Sequence, residues 1–342
     1  MALRASIEPT PGAADRKAGD TEIRWFQNMP ALIASPRMRS VMRFVEQVAA
    51  GSAAVLVMGE TGTGKELVAR ALHDYSPRAA RPWIDINCAA LPDHLLESEL
   101  FGFEKGAFSG AESAKPGLFE LAHQGTLFLD EITELGTKSQ SKLLRVLDGY
   151  PYYRLGGTRK VEVNARIVAA TNASLEDEVR AGRFRADLFH RLNQVSVVVP
   201  PLRERVDDIV PLAEFFLARE KAQLTIGEDA GAALKRHPWP GNVRELRNLM
   251  ARLAMMSNQR EIRLPDLPAE FHKLGSQEEL PSTYSLERLE QEVIFHALEQ
   301  AEGRRKEAAE MLGISPRTLM RRLKTYSAGA SRDFADDSLE CN

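Results

Sequence analysis

AAVLVMGETGTGKE, residues 53–66, passes from apolar to glycine-rich and then into KELVARALHDY, an amphipathic stretch of helical period. The apolar part, 53–58, is too short for a helix and reads as a buried strand ending at Gly59. Strand, glycine turn and helix start, with the spacing Gly59-x4-Gly64-Lys65, make the pattern of a phosphate-binding loop. Glycines let backbone N–H groups face phosphate oxygens with no side chain in the way. The helix N-terminus adds partial positive charge, and Lys65 is long enough to reach β- and γ-phosphates. The usual next residue is Ser or Thr, which helps hold magnesium; here it is Glu66. Taken alone, the stretch also reads as a glycine-rich turn with no ligand.

Outward from this loop, WIDIN (83–87), TLFL (126–129), RIVAA (166–170) and VSVVV (195–199) read as further buried strands, with amphipathic stretches such as TKSQSKLLRVLDGY between them. That alternation predicts an α/β fold with a parallel sheet and helices on both faces. Ligands of such sheets bind at the carboxyl ends of the strands. GTLFLDE (125–131) ends in two acids there. Asp130 is placed to bind Mg²⁺, directly or through water, and Glu131 to orient and polarise an attacking water. Asn172, the last residue of the ATN (170–172) that closes another apolar strand, is placed to touch a γ-phosphate or that water, although a turn-forming Asn is the commoner reading.

Composition narrows the class. Formal net charge is -3 over 342 residues, so any nucleic-acid surface must be local. Two cysteines, Cys88 and Cys341, exclude a disulfide scaffold and fit a reducing cytosol. No apolar run approaches a membrane span, so no membrane partner is expected. Residues 1–28 are small, polar and Pro/Gly-bearing in their first twenty positions, without the apolar core of a signal peptide, and are expected to be disordered. An α/β unit is expected over 29–206, a helical unit over 207–272, a polar linker over 273–284, a third unit over 285–327 and a loose tail over 328–342.

Within the third unit, RRKEAAEMLGISPRTLMRRLKTY (304–326) gives helix, tight turn at Gly313 and helix, with Ser315 as N-cap and Pro316 as first helical residue. Ala308, Leu312, Ile314, Leu319 and Leu323 make its inner face. Seven basic and two acidic residues lie between Arg304 and Lys324. Helix-turn-helix spacing puts Arg317, Thr318, Arg321 and Arg322 on the second helix, facing a DNA groove. A small protein-interaction module with a basic solvated face is the bland alternative.

FGFEKGAFSGAE (101–112) holds Phe101, Phe103 and Phe108, the last between Gly-Ala and Ser-Gly with no periodicity to bury it. Spacing alone favours a surface loop with Phe108 tucked beneath. YPYYRLGGTRKVEVN (150–164) reads as a hairpin turning at Gly156-Gly157, either a relay for that loop or a purely structural element.

GETGTGKE, NCAALPDHLLESELFGFEKGAFSGA, GTLFLDEI, FRADLFHRLN, PPLRER and WPGNVREL together resemble the AAA+ ATPase activators of bacterial sigma-54 RNA polymerase, over roughly residues 31–272. The resemblance implies a AAA+ P-loop domain, a helical lid and an all-α Fis-type helix-turn-helix that pairs as a dimer on an inverted repeat of double-stranded DNA. It implies a ring, expected to be a hexamer. It assigns ATP to the loop Gly59, Glu60, Thr61, Gly62, Thr63, Gly64, Lys65 and Glu66, the family carrying Glu at this last position, and Mg²⁺ to Asp130. Glu131 activates water, and Asn87 holds that glutamate back until the nucleotide state is right. Arg185 and Arg191 match arginine fingers reaching a neighbour's γ-phosphate, and Arg244 matches a lid residue that senses the nucleotide. Gly106, Ala107, Phe108, Ser109, Gly110 and Ala111 match the mobile loop whose tip contacts sigma-54, with Ser109 where the family usually has Thr. The implied function is cytoplasmic, ATP-driven opening of sigma-54 promoter complexes from an enhancer-like site. Rival readings are a DNA-binding regulator that uses ATP only as an assembly switch, and a AAA+ remodeller of another partner such as a helicase loader or unfoldase.

Overall fold

Residues 16–18, 21–220, 224–257, 260–273, 294, 297, 298, 301 and 304–329 are described by the computed structural model. The chain divides into two units, Met1–Gly275 and Ser276–Asn342. The first opens with three antiparallel strands, β1 (Arg16–Ala18), β2 (Thr21–Phe26) and β3 (Met29–Ile33). These strands fall partly inside 1–28, so the expectation of disorder is corrected for residues 16–18 and 21–28. The signal is easy to miss. The turn between β2 and β3 is Gln27-Asn28, both at positive φ (44° and 63°), without the glycine that usually marks such a hairpin. Asp74 compensates by accepting the Gln27 N–H at 2.9 Å and its side-chain amide at 2.6 Å. Residues 1–15 lie outside the described residues.

The α/β core follows in alternation: α1 (Pro36–Ala49), β4 (Val55–Met58), α2 (Lys65–Asp74), β5 (Trp83–Asn87), α3 (Asp93–Phe101), α4 (Leu118–Leu121), β6 (Thr126–Asp130) and α5 (Thr137–Leu147). A short antiparallel hairpin, β7 (Tyr152–Tyr153) and β8 (Lys160–Val161), precedes β9 (Arg166–Thr171), α6 (Leu175–Arg180), α7 (Ala186–Leu192) and β10 (Val195–Val198). The five long-range strands pair in parallel in the order β10-β4-β9-β6-β5. Both faces are covered, which is why the strands read as continuous apolar runs. Val55, Val57, Phe128, Val168, Ala170 and Val197 pack on α1 and α2. Leu56, Leu127, Leu129, Ile167 and Ala169 point the other way, onto α3, α5 and α7. The edge strand β10 runs out through Val199 into Pro200-Pro201, and the opposite edge strand β5 carries Asp85 at its centre.

Helices α8 (Ile209–Arg219), α9 (Glu228–Arg236), α10 (Asn242–Met256) and α11 (Ala269–Lys273) form the lid, tied by a parallel pair of two-residue strands, β11 (Thr225–Ile226) and β12 (Glu261–Ile262). Its core gathers Leu212, Leu234, Trp239, Leu246, Met250 and Phe271, and takes in Leu32 from β3. The connector from β10 to α8 is anchored by fully buried Asp208. Its Oδ1 accepts the Ala34 and Ser35 N–H groups at 2.7 and 2.6 Å, and its Oδ2 the Ser35 hydroxyl at 2.9 Å. Ser35 in turn caps α1, accepting the Met38 N–H at 3.2 Å.

In the second unit, the helix Arg305–Met311, a turn with Gly313 at φ 65° and the helix Pro316–Gly329 are described. Ala308 and Leu319 are buried with Ile294, Ala297 and Ala301; Leu312, Ile314 and Leu323 pack against them. Ser315 caps the second helix, accepting the Thr318 N–H at 3.1 Å. That helix reaches Gly329, two residues into the expected tail. Most of the polar stretch 273–284 and the rest of the tail lie outside the described residues. No helix among the described residues is long and apolar enough to cross a membrane.

Removing a buried carboxylate that satisfies the Ser35 N–H and hydroxyl and the half-buried Ala34 N–H leaves them orphaned. Asp208→Ala is expected to lower the unfolding free energy by about 3–5 kcal/mol in chemical denaturation, whereas the exposed neighbour Asp207→Ala changes it by less than about 0.5 kcal/mol.

Candidate functional site

Parallel pairing sets the carboxyl ends of β4, β9, β6 and β5 side by side, and each residue expected at the nucleotide, except those on α7 and the lid, ends or follows one of them. The phosphate loop leaves β4 and enters α2 through Gly64, at φ 102°. Gly62, at φ 79°, has no room for a side chain, since a Cβ there would stand 2.4 Å from the Gly241 carbonyl oxygen of the lid. Lys65 is buried. Its ammonium donates to the Gly59 and Glu60 carbonyls at 2.9 and 3.3 Å and lies 3.9 Å from Glu131 Oε1. Burial lowers its pKa, an effect opposed by Glu131 and Asp130. Thr63 closes the loop by donating its hydroxyl to the Glu60 carbonyl at 2.8 Å. Glu66, where a magnesium-binding hydroxyl is usual, pairs with Arg70 one turn along α2 at 2.6 Å.

Asp130 ends β6 beside Asn87, the two being register partners. Burial raises the Asp130 pKa, with Lys65 pulling it back. The Asn87 side-chain amide donates to Asp130 Oδ2 at 3.3 Å, and its Oδ1 accepts the Ala89 N–H at 2.8 Å. Pairing of β5 with β6 sets Asn87 opposite Asp130, which is why its amide reaches that carboxylate in this structure. Glu131 follows in a left-handed conformation, φ 50° and ψ 55°, which turns its carboxylate back toward Lys65. Asn172, after β9, donates to the Thr61 hydroxyl at 2.9 Å, so it touches the phosphate loop itself. Magnesium is usually held by one or two carboxylates together with substrate phosphates and waters. Asp130 fits that role, and among the described residues no group of three or more His, Cys, Asp or Glu could hold a metal unaided.

Arg185 and Arg191 sit at the two ends of α7. Arg185 pairs with Asp187 at 2.7 Å, and Arg191 with Asp148 at 3.1 Å and the Leu147 carbonyl at 2.9 Å. None of these partners belongs to the phosphate loop of the same chain. Arg244, exposed on the first turn of α10, has its Cβ beside Gly62 and acts electrostatically on Lys65 and Asp130.

Three residues that sequence reasoning left without a role bind the loop to the lid. Arg203 forms a two-pronged ion pair with Glu60, at 2.6 and 2.8 Å. Arg203 and the Asn242 amide hold the Glu60 carboxyl well below the usual range, at about 2. Arg205, buried beneath, donates to the Thr63 carbonyl. Asn242, fully buried and at φ 52°, donates to Glu60 Oε2 and the Thr61 carbonyl, both at 3.1 Å, and accepts the Leu202 N–H at 2.7 Å. The motifs PPLRER and WPGNVREL marked these segments, but the pairings join residues more than 140 positions apart.

The loop Gly106–Ala111 lies between α3 and α4. Phe101 is buried in the core, whereas Phe108 is 43% exposed, its ring edge-on to Phe103 at 4.9 Å. Gly106 and Gly110 take φ 83° and 101°. Ala111 is buried, so in this conformation the accessible tip is Gly106 to Gly110. Its base is bonded to the β7–β8 hairpin: the Glu104 N–H donates to the Leu155 carbonyl at 3.0 Å, and Arg154 pairs with Glu104 at 3.1 Å and Glu120 at 2.6 Å. The hairpin is therefore physically joined to the loop. In the second unit Arg317 and Arg321 are exposed and Arg322 is half-buried. The Thr318 hydroxyl lies 2.8 Å from that of Ser315.

Residues 31–198 match the family described as sigma-54 interaction domain, 203–283 the AAA+ ATPase lid domain and 285–326 the Fis family of bacterial regulatory proteins. The Nif-specific regulatory protein of Azotobacter vinelandii is 46% identical over 345 residues, covering 95% of this chain and 65% of that protein. The DNA-binding transcriptional regulator NtrC of Escherichia coli K12 is 44% identical, covering 85% of this chain and 68% of that protein. Among solved structures, NtrX from Brucella abortus in complex with ATP aligns with a TM-score of 0.64 at 38% identity, over 85% of this chain and 68% of that one. The chain thus spans about two thirds of the length of the curated relatives it matches.

Arg154→Ala removes the charged link between hairpin and loop. It is expected to speed hydrogen–deuterium exchange of the Glu104–Ala111 amides by about tenfold, read by mass spectrometry; exchange unchanged from wild type would show that the ion pairs do not hold the loop.

Proposed function

The chain belongs to the sigma-54 activator family, with its AAA+ domain, lid and Fis-type helix-turn-helix, and on that premise we propose that it hydrolyses ATP to remodel sigma-54 RNA polymerase from closed to open promoter complexes. The observation that carries the reading is the half-exposed Phe108 tip, held on the same α/β unit as the phosphate loop and braced by the hairpin. An aromatic ring left in solvent between two left-handed glycines suits a partner better than its own core.

The roles follow from placement. The Lys65 ammonium exchanges the Gly59 and Glu60 carbonyls for β- and γ-phosphate oxygens. Asp130 holds Mg²⁺, which when bound neutralises charge on the phosphates. Glu131 orients the attacking water and takes its proton. Asn172 and Arg244 register the γ-phosphate from the sheet and from the lid. Phosphoryl transfer gains most from positioning and charge stabilisation, and an arginine finger is worth on the order of 10³ to 10⁵ in rate. Arg185 and Arg191, whose partners in the chain lie off the phosphate loop, serve the neighbouring subunit of a ring, taken here as a hexamer. The helix-turn-helix unit, dimerised, grips an inverted repeat in double-stranded DNA through Arg317, Thr318, Arg321 and Arg322 and keeps the ring near its promoter in the cytoplasm.

Two experiments test this. Arg191→Ala and Glu131→Gln are each expected to cut ATP turnover by at least about a hundredfold. Mixed together, they should regain turnover at junctions that combine an intact Glu131 with an intact Arg191. Absence of recovery in rings shown to be mixed would place the finger in the same chain. Separately, wild-type protein with a transition-state analogue of ATP should capture sigma-54, and Phe108→Ala should not. Capture by Phe108→Ala at the wild-type level would remove the loop from the mechanism.

A further inference from the structure

PPLRER, residues 200–205, has no role in the scheme above, yet both its arginines reach the phosphate loop. An acid such as Glu60 in a phosphate loop repels the anion the loop is built to receive. Here its carboxylate is fully engaged: both oxygens face Arg203, and one is shared with Asn242, the first residue of α10. Two residues further along that helix is Arg244. The same turn of the lid makes further direct links to the loop. The Val243 N–H donates to the Gly62 carbonyl at 3.0 Å, Asn242 to the Thr61 carbonyl at 3.1 Å, and the Gly241 carbonyl abuts Gly62. Asn242 also receives the Leu202 N–H, next to Arg203. Connector, phosphate loop and lid therefore meet at one polar joint, with Glu60 and Arg203 at its solvent side.

We propose that the Glu60–Arg203 ion pair, keyed by Asn242, sets the register of the lid on the phosphate loop, making both residues positioning residues for ATP binding; this rests on the ATP-turnover reading above. The pair is distinct from the buried scaffold below it. Glu60 and Arg203 side chains are 42% and 44% exposed, so the ion pair itself lies at the surface, whereas Asn242, Arg205 and Asp208 are buried. Opening it lets α10 shift and carries Arg244 away from the phosphates. Neither residue of the pair touches a reacting atom, so its loss falls on binding more than on the chemical step.

The test is steady-state Mg-ATP hydrolysis by the full chain carrying Glu60→Gln, Arg203→Gln or both. Each single substitution is expected to raise KM about tenfold with kcat within about threefold of wild type. The double substitution should raise KM by the same tenfold, because the two residues act as one unit. Wild-type KM in either single variant, multiplication to about a hundredfold in the double, or a fall in kcat at unchanged KM overturns the proposal. A purely structural pair would lower the nucleotide-free melting temperature and the active fraction while leaving KM alone. Should a glutamine variant not fold, Arg203→Lys, which keeps one charged donor, is expected to raise KM about threefold, and an unchanged KM there overturns the proposal equally. If the wild-type chain does not hydrolyse ATP, the functional reading fails, and equilibrium ATP affinity of the same variants still decides this one.

Discussion

Parallel strands all end on the same side of a sheet, and that constraint places most of this site. Strand β4 delivers the phosphate loop, β6 the two acids, β9 Asn172 and β5 Asn87, in adjacent lanes. None of these side chains needs a long loop to reach the others. Their mutual distances are fixed by strand spacing and register, and two buried apolar layers hold the register from both faces. The chemistry is concentrated in a few backbone positions that only this arrangement tolerates: Gly62 under the lid carbonyl, and Glu131 turned left-handed after its strand.

Acids crowd a site meant for anions, and each is matched. Glu60 is held by Arg203, Glu66 by Arg70, and Asp130 with Glu131 faces the Lys65 ammonium. The match is uneven in kind. Glu60 and Glu66 are paired by guanidinium groups at hydrogen-bond distance, which fixes them. Lys65 stands 3.9 Å from Glu131 and hangs mainly on backbone carbonyls, which leaves it free to exchange partners. The loop therefore carries guanidinium-paired acids at its start and after its end, and between them one buried cation held mainly by backbone carbonyls.

The sheet was legible because its strands are short apolar runs bounded by glycines and acids, and the loop because its glycine spacing has few other uses. The helix-turn-helix followed from Gly313, Ser315 and Pro316, which the structure uses as turn, cap and helix start. What stayed hidden depends on contacts between distant segments. The hairpin at Gln27-Asn28 is stabilised from Asp74, not by its own turn residues. Arg203 and Asn242 acquire meaning only when the lid folds over Glu60. The hydrogen bond from Asn87 to Asp130 follows from pairing register, which is invisible in one strand's sequence.

The two edges of the central sheet bear on how such chains can meet. Beyond β10 the backbone enters Pro200-Pro201, which have no N–H to offer, and β5 carries Asp85 at its centre with Trp83 flanked by His73 and Arg70. Proline and charge blunt a strand edge against docking of another strand. Both flanks are therefore poor templates for growth of the sheet from chain to chain. Blunted edges disfavour a continuous backbone ladder from chain to chain and leave helices and loops as the better contact surfaces.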